Sequence, residues 1–122
     1  MIAEKNKIPF VNENLKMHDA LKILRRKNLG FIIVRNSKKI TTGILTDGDL
    51  KRKIKKNQKL HNLLVKKVMT PNPVSIGQDM LATKALSIMQ DKKITALCVN
   101  SNKSKYKTTG VLHIHNILRA NI

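Results

Sequence analysis

The chain repeats one apolar pattern at a fixed spacing, and this limits its fold more than any single residue does. Met17, Ala20, Leu21 and Leu24 lie at helical spacing, and 65 positions on (17 to 82, 24 to 89) Ala82, Ala85, Leu86 and Met89 do the same. A β-type run follows each: Phe31-Ile32-Ile33-Val34 in the first copy, Ala96-Leu97-Cys98-Val99 in the second. Each copy then closes on a glycine-led strand that runs into a second helix, from Gly43 to Leu50 and from Gly110 to Ile117. A unit this small does not bury its own apolar face, so the duplication predicts an α/β fold of two tandem β-α-β-β-α repeats packed with pseudo-twofold symmetry. Met17, Leu21, Leu24, Ala85, Leu86 and Met89 are then expected between the repeats.

The elements follow from local signals. Ile8–Val11 reads as a short opening strand, with proline tolerated at its start. Asn14 is the expected N-cap of a helix reaching about Asn28, and Gly30 ends it. Strands are expected at 31–34 and 40–45, and a second helix from about Asp47 to Lys56. In the second copy Asp79 takes the N-cap position, the helix runs to about Lys92, strands fall at 95–99 and 108–112, and a short helix covers 114–120. The hairpin Asn100–Lys107 is polar throughout and is expected to be exposed. The resulting division is a polar leader at 1–8, a first repeat at 9–56, a linker at 57–70 and a second repeat at 71–122. Thr70-Pro71-Asn72-Pro73 is a stiff, extended connector.

Composition narrows the function classes. Over 122 residues, 41% are hydrophobic, enough for a packed core and against wholesale disorder. No apolar run approaches the ~18–20 residues of a membrane span. The first residues carry lysines without an apolar stretch behind them, so no secretory signal is read. The single cysteine, Cys98, forms no internal disulfide, which fits a cytoplasmic protein. A formal net charge of +18 favours polyanions, but the lysines are spread along the chain, as an AT-rich genome produces. Stacking aromatics are limited to Phe10, Phe31 and Tyr106, and no nucleic-acid-binding motif is present. The charge reads as a solvated lysine surface that also favours small phosphorylated anions.

The order β-α-β-β-α, twice, resembles the CBS-domain fold, in which two repeats form a Bateman module. The segments Gly43–Arg52, Val68–Pro73, Lys93–Leu97 and Gly110–Ala120 together look like the C-terminal regulatory part of the arabinose-5-phosphate isomerase family. That resemblance covers the chain from about Pro9 to Ile122. It implies a nucleotide or nucleotide-sugar ligand in the cleft between repeats: AMP, ATP or a cytidine-activated sugar acid. No cofactor is required. In that family catalysis belongs to an N-terminal sugar-isomerase domain, to which nothing in this chain corresponds. The chain is therefore expected to be no enzyme on its own, and to work with a sugar-isomerase domain in the same or a partner chain. It reads as a separately encoded module or a fragment of a longer enzyme. A homodimer is expected, through Ile54, Leu60, Leu63 and Leu64.

Site residues are carried over by the resemblance. Gly43, Thr46 and Asp49 form G-x-x-T-x-x-D, the pattern that holds ribose and phosphate in nucleotide-binding CBS pairs. Locally, Thr46 ends a strand and a helix starts behind it, so its first N–H groups point toward an incoming anion. Asp49 can accept both ribose hydroxyls, and Lys51 or Arg52 is placed to meet phosphate. The competing reading makes Thr46 or Asp47 an N-cap and Asp49 an acid favoured by the helix dipole. In the second copy His113 and Asn116 stand at these positions, with His115 and Arg119 beside them. Asn116 replaces the aspartate typical of the family and brings no charge. His113 and His115 lack the third and fourth ligands that zinc needs, so no metal site is read. Cys98 reads as a small core residue, and no triad or carboxylate pair is present for catalysis. The leading reading is a regulatory, ligand-sensing pair. The alternatives are a dimerisation scaffold that binds nothing and a basic nucleic-acid-associated module.

Overall fold

The computed structural model describes residues 3–4, 8–27, 30–56, 59–101 and 104–114. The chain divides into two compact units. One comprises Pro9–Pro73, and the other comprises Met1–Ile8 with Val74–Ile122.

In the first unit, β2 (Phe10–Asn12) lies parallel to β3 (Phe31–Arg35), and α1 (Met17–Lys27) joins them. β3 pairs antiparallel with β4 (Thr41–Thr46), and β4 pairs antiparallel with β5 (Thr70–Pro71), giving the order β2-β3-β4-β5. Helix α2 (Asp47–Lys56) leaves the end of β4 without an intervening loop. A single 3-10 turn at Leu60–Asn62 and the four-residue α3 (Val65–Val68) then lead into β5.

The second unit repeats the plan. β6 (Ser75–Gly77) runs parallel to β7 (Ala96–Ser101) across α4 (Ala82–Lys92), and β7 pairs antiparallel with β8 (Ser104–His113). Its outer strand, β1 (Ala3–Glu4), comes from the segment read as a polar leader. It pairs antiparallel with β8 through Ala3 opposite Val111 and Glu4 opposite Gly110. The final helix expected at 114–120 lies outside the described residues beyond Ile114.

The apolar stripe of α1 is buried as its spacing requires, but not where the duplication argument put it. Met17, Ala20, Leu21 and Leu24 pack within the first unit against Val11, Ile32, Val34 and Leu45 of its own sheet. Leu60, Val65 and Val68, from the expected linker, complete that cluster. Ala85 and Met89, with half-buried Leu86, pack likewise on Ile76, Leu97, Val99 and Leu112 in the second unit. Phe31 through Val34 are all buried, so both faces of β3 are covered, which explains why the run is apolar without alternation. Of the residues expected at a dimer contact, Leu60 is buried in the core and half-buried Leu63 packs against it, while Leu64 is half-buried. Ile54 does stay exposed.

Two expected caps do not form. Asn14 lies in a turn in which its own N–H donates to Asn12 Oδ1 (2.8 Å), and α1 starts three residues later. The Met17 N–H instead donates to the Leu63 carbonyl (2.8 Å), so backbone from the linker does what a side-chain cap would do. Asp79 also lies outside its helix: α4 begins at Ala82 behind an extended Leu81 with no side-chain cap.

Of the hairpin expected to be exposed, Lys107 is exposed and Asn100, at its base, is buried. β7 reaches Ser101 and β8 starts at Ser104, with Asn100 opposite Thr108 and both buried. Register shifts at Val99/Asn100 match the one at Val34/Arg35 in the first unit. In both bulges a threonine hydroxyl donates to the valine carbonyl, Thr42 to Val34 (3.4 Å) and Thr109 to Val99 (3.3 Å).

Replacing Leu21 by alanine is expected to lower unfolding free energy by about 2–5 kcal/mol, measured by urea denaturation, because the rigid sheet beneath it does not collapse into the void.

Candidate functional site

The C-terminal end of β4 gathers the polar residues of the first unit. Thr46 is the last residue of the strand and is buried, and Asp47 opens α2. Its hydroxyl oxygen accepts the Asp49 backbone N–H (3.2 Å), so Thr46 is the N-cap of α2 with Asp49 at the third helical position. The Asp47 N–H donates to the Gly30 carbonyl (3.0 Å), which ties the start of the helix to the start of β3. Gly30 has φ of 81°, a conformation that favours glycine.

Asp49 projects from the first turn with its side chain 23% exposed. One carboxylate oxygen pairs with the guanidinium of Arg52, one turn along the same face, and the other accepts the Thr70 hydroxyl (3.4 Å) from β5. Arg52 is 72% exposed, so the pair is screened by solvent and contributes at most about 1 kcal/mol to stability. Lys53 reaches across to donate to the Val68 carbonyl, and Lys51 is exposed.

Gly43 makes this convergence possible. It pairs with Pro71, and a Cβ there would lie 2.3 Å from the Met69 sulfur and 3.0 Å from the Thr70 carbonyl oxygen. Glycine therefore lets β5 approach β4 closely enough to bring Thr70 to Asp49. Chemically, the arrangement offers a part-exposed carboxylate as a hydroxyl acceptor, a guanidinium suited to phosphate, and two threonine hydroxyls.

The structure thus brings Thr46, Asp49 and Arg52 together and adds Thr70, which the sequence reading did not single out. The signal for it was its place in the quoted Val68–Pro73 segment. In the second unit His113 is half-buried at the end of β8, opposite Ala96 as Thr46 is opposite Phe31. The Ile114 N–H donates to the Thr95 carbonyl (2.8 Å), matching Asp47 on Gly30. His115, Asn116 and Arg119 lie outside the described residues. Among the described residues no group of three or more histidines, cysteines and acids could hold a metal; the His18 and His61 rings stand 6.4 Å apart.

The CBS domain model matches residues 4–56 and 65–122. The chain belongs to the CBS-domain family. As a CBS pair it is similar to the C-terminal region of arabinose 5-phosphate isomerase KdsD of Salmonella typhi. It is 36% identical to that relative over 117 residues, covering 96% of this chain and 35% of the relative. The chain thus spans about a third of the length of the curated relatives it matches. Among solved structures, a CBS-domain containing protein from Agrobacterium tumefaciens superposes with a TM-score of 0.85 at 20% identity, over 94% of this chain and 84% of that one. CBSX2 of Arabidopsis thaliana, solved in complex with AMP, gives 0.81 at 23% identity, over 98% and 91%. At these identities the two structures share the fold.

Cys98 is buried in β7, and desolvation pushes its thiol from 9.0 up to about 11, partly offset by a hydrogen bond with Thr108. Because burial favours the neutral thiol in the folded state, stability is expected to fall as pH rises from 9 through 11. Alkylation of Cys98 by iodoacetamide at neutral pH should require denaturant. Replacing Thr46 by alanine should cost about 0.5–2 kcal/mol in thermal or urea unfolding, as expected for loss of a helix cap.

Proposed function

We propose that this CBS pair is the ligand-sensing regulatory module of an arabinose-5-phosphate isomerase, acting in the cytoplasm. It binds an anionic nucleotide or nucleotide-sugar at the end of β4. Asp49 accepts the ribose hydroxyls, Thr46 and Thr70 supply hydroxyls, and Arg52 turns from Asp49 to the phosphate. His113, His115, Asn116 and Arg119 form the related half-site of the second repeat. The observation that carries this reading is Asp49 itself: a part-exposed carboxylate held between Arg52 and Thr70 by contacts that a ligand can exchange.

AMP in the complex of CBSX2 supports an adenine nucleotide. The similarity to KdsD supports instead a cytidine-activated sugar acid, the end product that such a module would sense. The module needs no cofactor and performs no isomerisation alone, and the sugar-isomerase domain is supplied by the same or a partner chain. Differential affinity of the ligand for two arrangements of the pair shifts the activity of that domain. The pair acts as a homodimer.

One observation favours a second reading, a scaffold that binds nothing. Thr46 and Asp49 already have structural roles, as helix cap and ion-pair partner. Calorimetric titration with AMP, ATP, CMP and a cytidine-linked sugar acid, at two salt concentrations, separates the two. A sensor prefers one ligand, and Asp49→Ala weakens that ligand by about 1.5–3 kcal/mol. Equal, salt-sensitive binding of all four, unchanged in the variant, is the result expected of a scaffold with a basic surface.

A further inference from the structure

The two units differ at the N-terminal end of the helix that joins their parallel strands. In the first, the N-terminal end of α1 is covered by the segment Leu60–Val68. Leu60, Val65 and Val68 enter the core beside Val11, Met17, Val34 and Leu45, with Leu15 and Leu63 packed against them. The backbone is joined as well. The Met17 N–H donates to the Leu63 carbonyl (2.8 Å), the Val65 N–H to the Leu15 carbonyl (2.7 Å) and the Lys66 N–H to the Glu13 carbonyl (2.9 Å), around an antiparallel bridge between Lys16 and Leu64.

The matching place in the second unit is open among the described residues. Its wall residues Ile76, Met80, Leu81, Ala82, Val99 and Leu112 correspond to Val11, Leu15, Lys16, Met17, Val34 and Leu45, and they line an apolar cavity of about 350 Å³. Leu81, the counterpart of exposed Lys16, is 73% exposed. The turn before the helix is the same, with Met80 N–H on the Gly77 carbonyl (3.2 Å) as Leu15 N–H is on Asn12 (3.0 Å). Yet the Ala82 N–H and the Gln78 and Met80 carbonyls, which match the groups of Met17, Glu13 and Leu15, have no backbone partner among the described residues.

We infer that this groove is the docking site of an apolar polypeptide segment with the Leu60–Val68 pattern, reaching β1 from its N-terminal side. Chain direction selects this occupant. Leu60–Val68 runs directly into β5, which pairs with β4 through Pro71 opposite Gly43. β1 pairs with β8 in the same way, Glu4 opposite Gly110, so a segment joined ahead of β1 with the spacing that Leu60–Val68 has from β5 would reach the groove as Leu60–Val68 reaches its own. The docked segment closes the apolar cavity and accepts the Ala82 N–H at a backbone carbonyl.

The test fuses this chain's own residues 59–67 directly ahead of Met1, which gives Ala3 the spacing from the added leucines that Thr70 has from Leu60. Compared with a Gly-Ser extension of equal length, the fusion should raise the melting temperature by about 4 °C or more. Ala82→Pro removes the donor at the first helical position, where proline is tolerated and follows an extended residue. It should abolish most of that rise. The quantity read is the difference between extended and unextended chains in each background, so any effect of proline on the fold itself cancels. A fusion with its three leucine positions changed to aspartate should give no rise. No rise with the intact segment, a rise indifferent to Ala82→Pro, or a rise that appears only with dimerisation on size exclusion would each overturn the assignment.

Discussion

A β-α-β-β-α repeat leaves one end of its first helix uncovered, and the rest of the first unit depends on how that end is closed. Leu60, Val65 and Val68 fill it with apolar side chains, while Leu63 and Val65 satisfy the backbone of Met17 and Leu15. A helix end with both apolar surface and unpaired polar groups needs an occupant that supplies both, and only another length of backbone does. This is why the residues between the repeats are part of the core and not a tether.

The closure also builds the candidate site. Once Leu60–Val68 is seated, the chain has one direction in which to continue, alongside β4 as β5. Gly43 lets it approach, Lys53 holds the Val68 carbonyl, and Thr70 arrives at the Asp49 carboxylate. The polar site at the end of β4 is therefore a consequence of apolar packing around α1. Loosening α3 from α1 would displace Thr70 before it disturbed Thr46 or Asp49, which belong to the strand–helix junction itself.

Structural and ligand-directed roles coincide at that junction. Thr46 uses an acceptor lone pair to cap α2 and keeps its own proton for donation. Asp49 gains from the helix dipole and from Arg52, but both its partners are weak, one exposed and one at 3.4 Å. A carboxylate in this state is charged, oriented and exchangeable. The high net positive charge favours any anion at long range and selects none, so selectivity rests on these few short-range groups.

What the sequence determined by itself is the periodic part. Helical spacing at Met17–Leu24 and Ala82–Met89, the apolar strand runs and the strand-to-helix junction at Thr46 were legible because each is set by neighbours within a few residues. The family and the pairing of Thr46 with Asp49 were legible through the resemblance of these short motifs to those of CBS pairs. Tertiary structure decided everything that depends on a remote partner. Asn14 and Asp79 carry good capping chemistry, yet α1 takes its N-terminal acceptor from Leu63, about fifty residues away. Leu60 reads as surface until the uncovered end of α1 is known, and Asn100 reads as loop until its register with Thr108 buries it. Thr70 becomes a site residue only because Gly43 admits β5. Local propensity acts through the nearest residues in the chain, whereas burial and backbone satisfaction act through whichever residues folding brings near, and no local pattern records those.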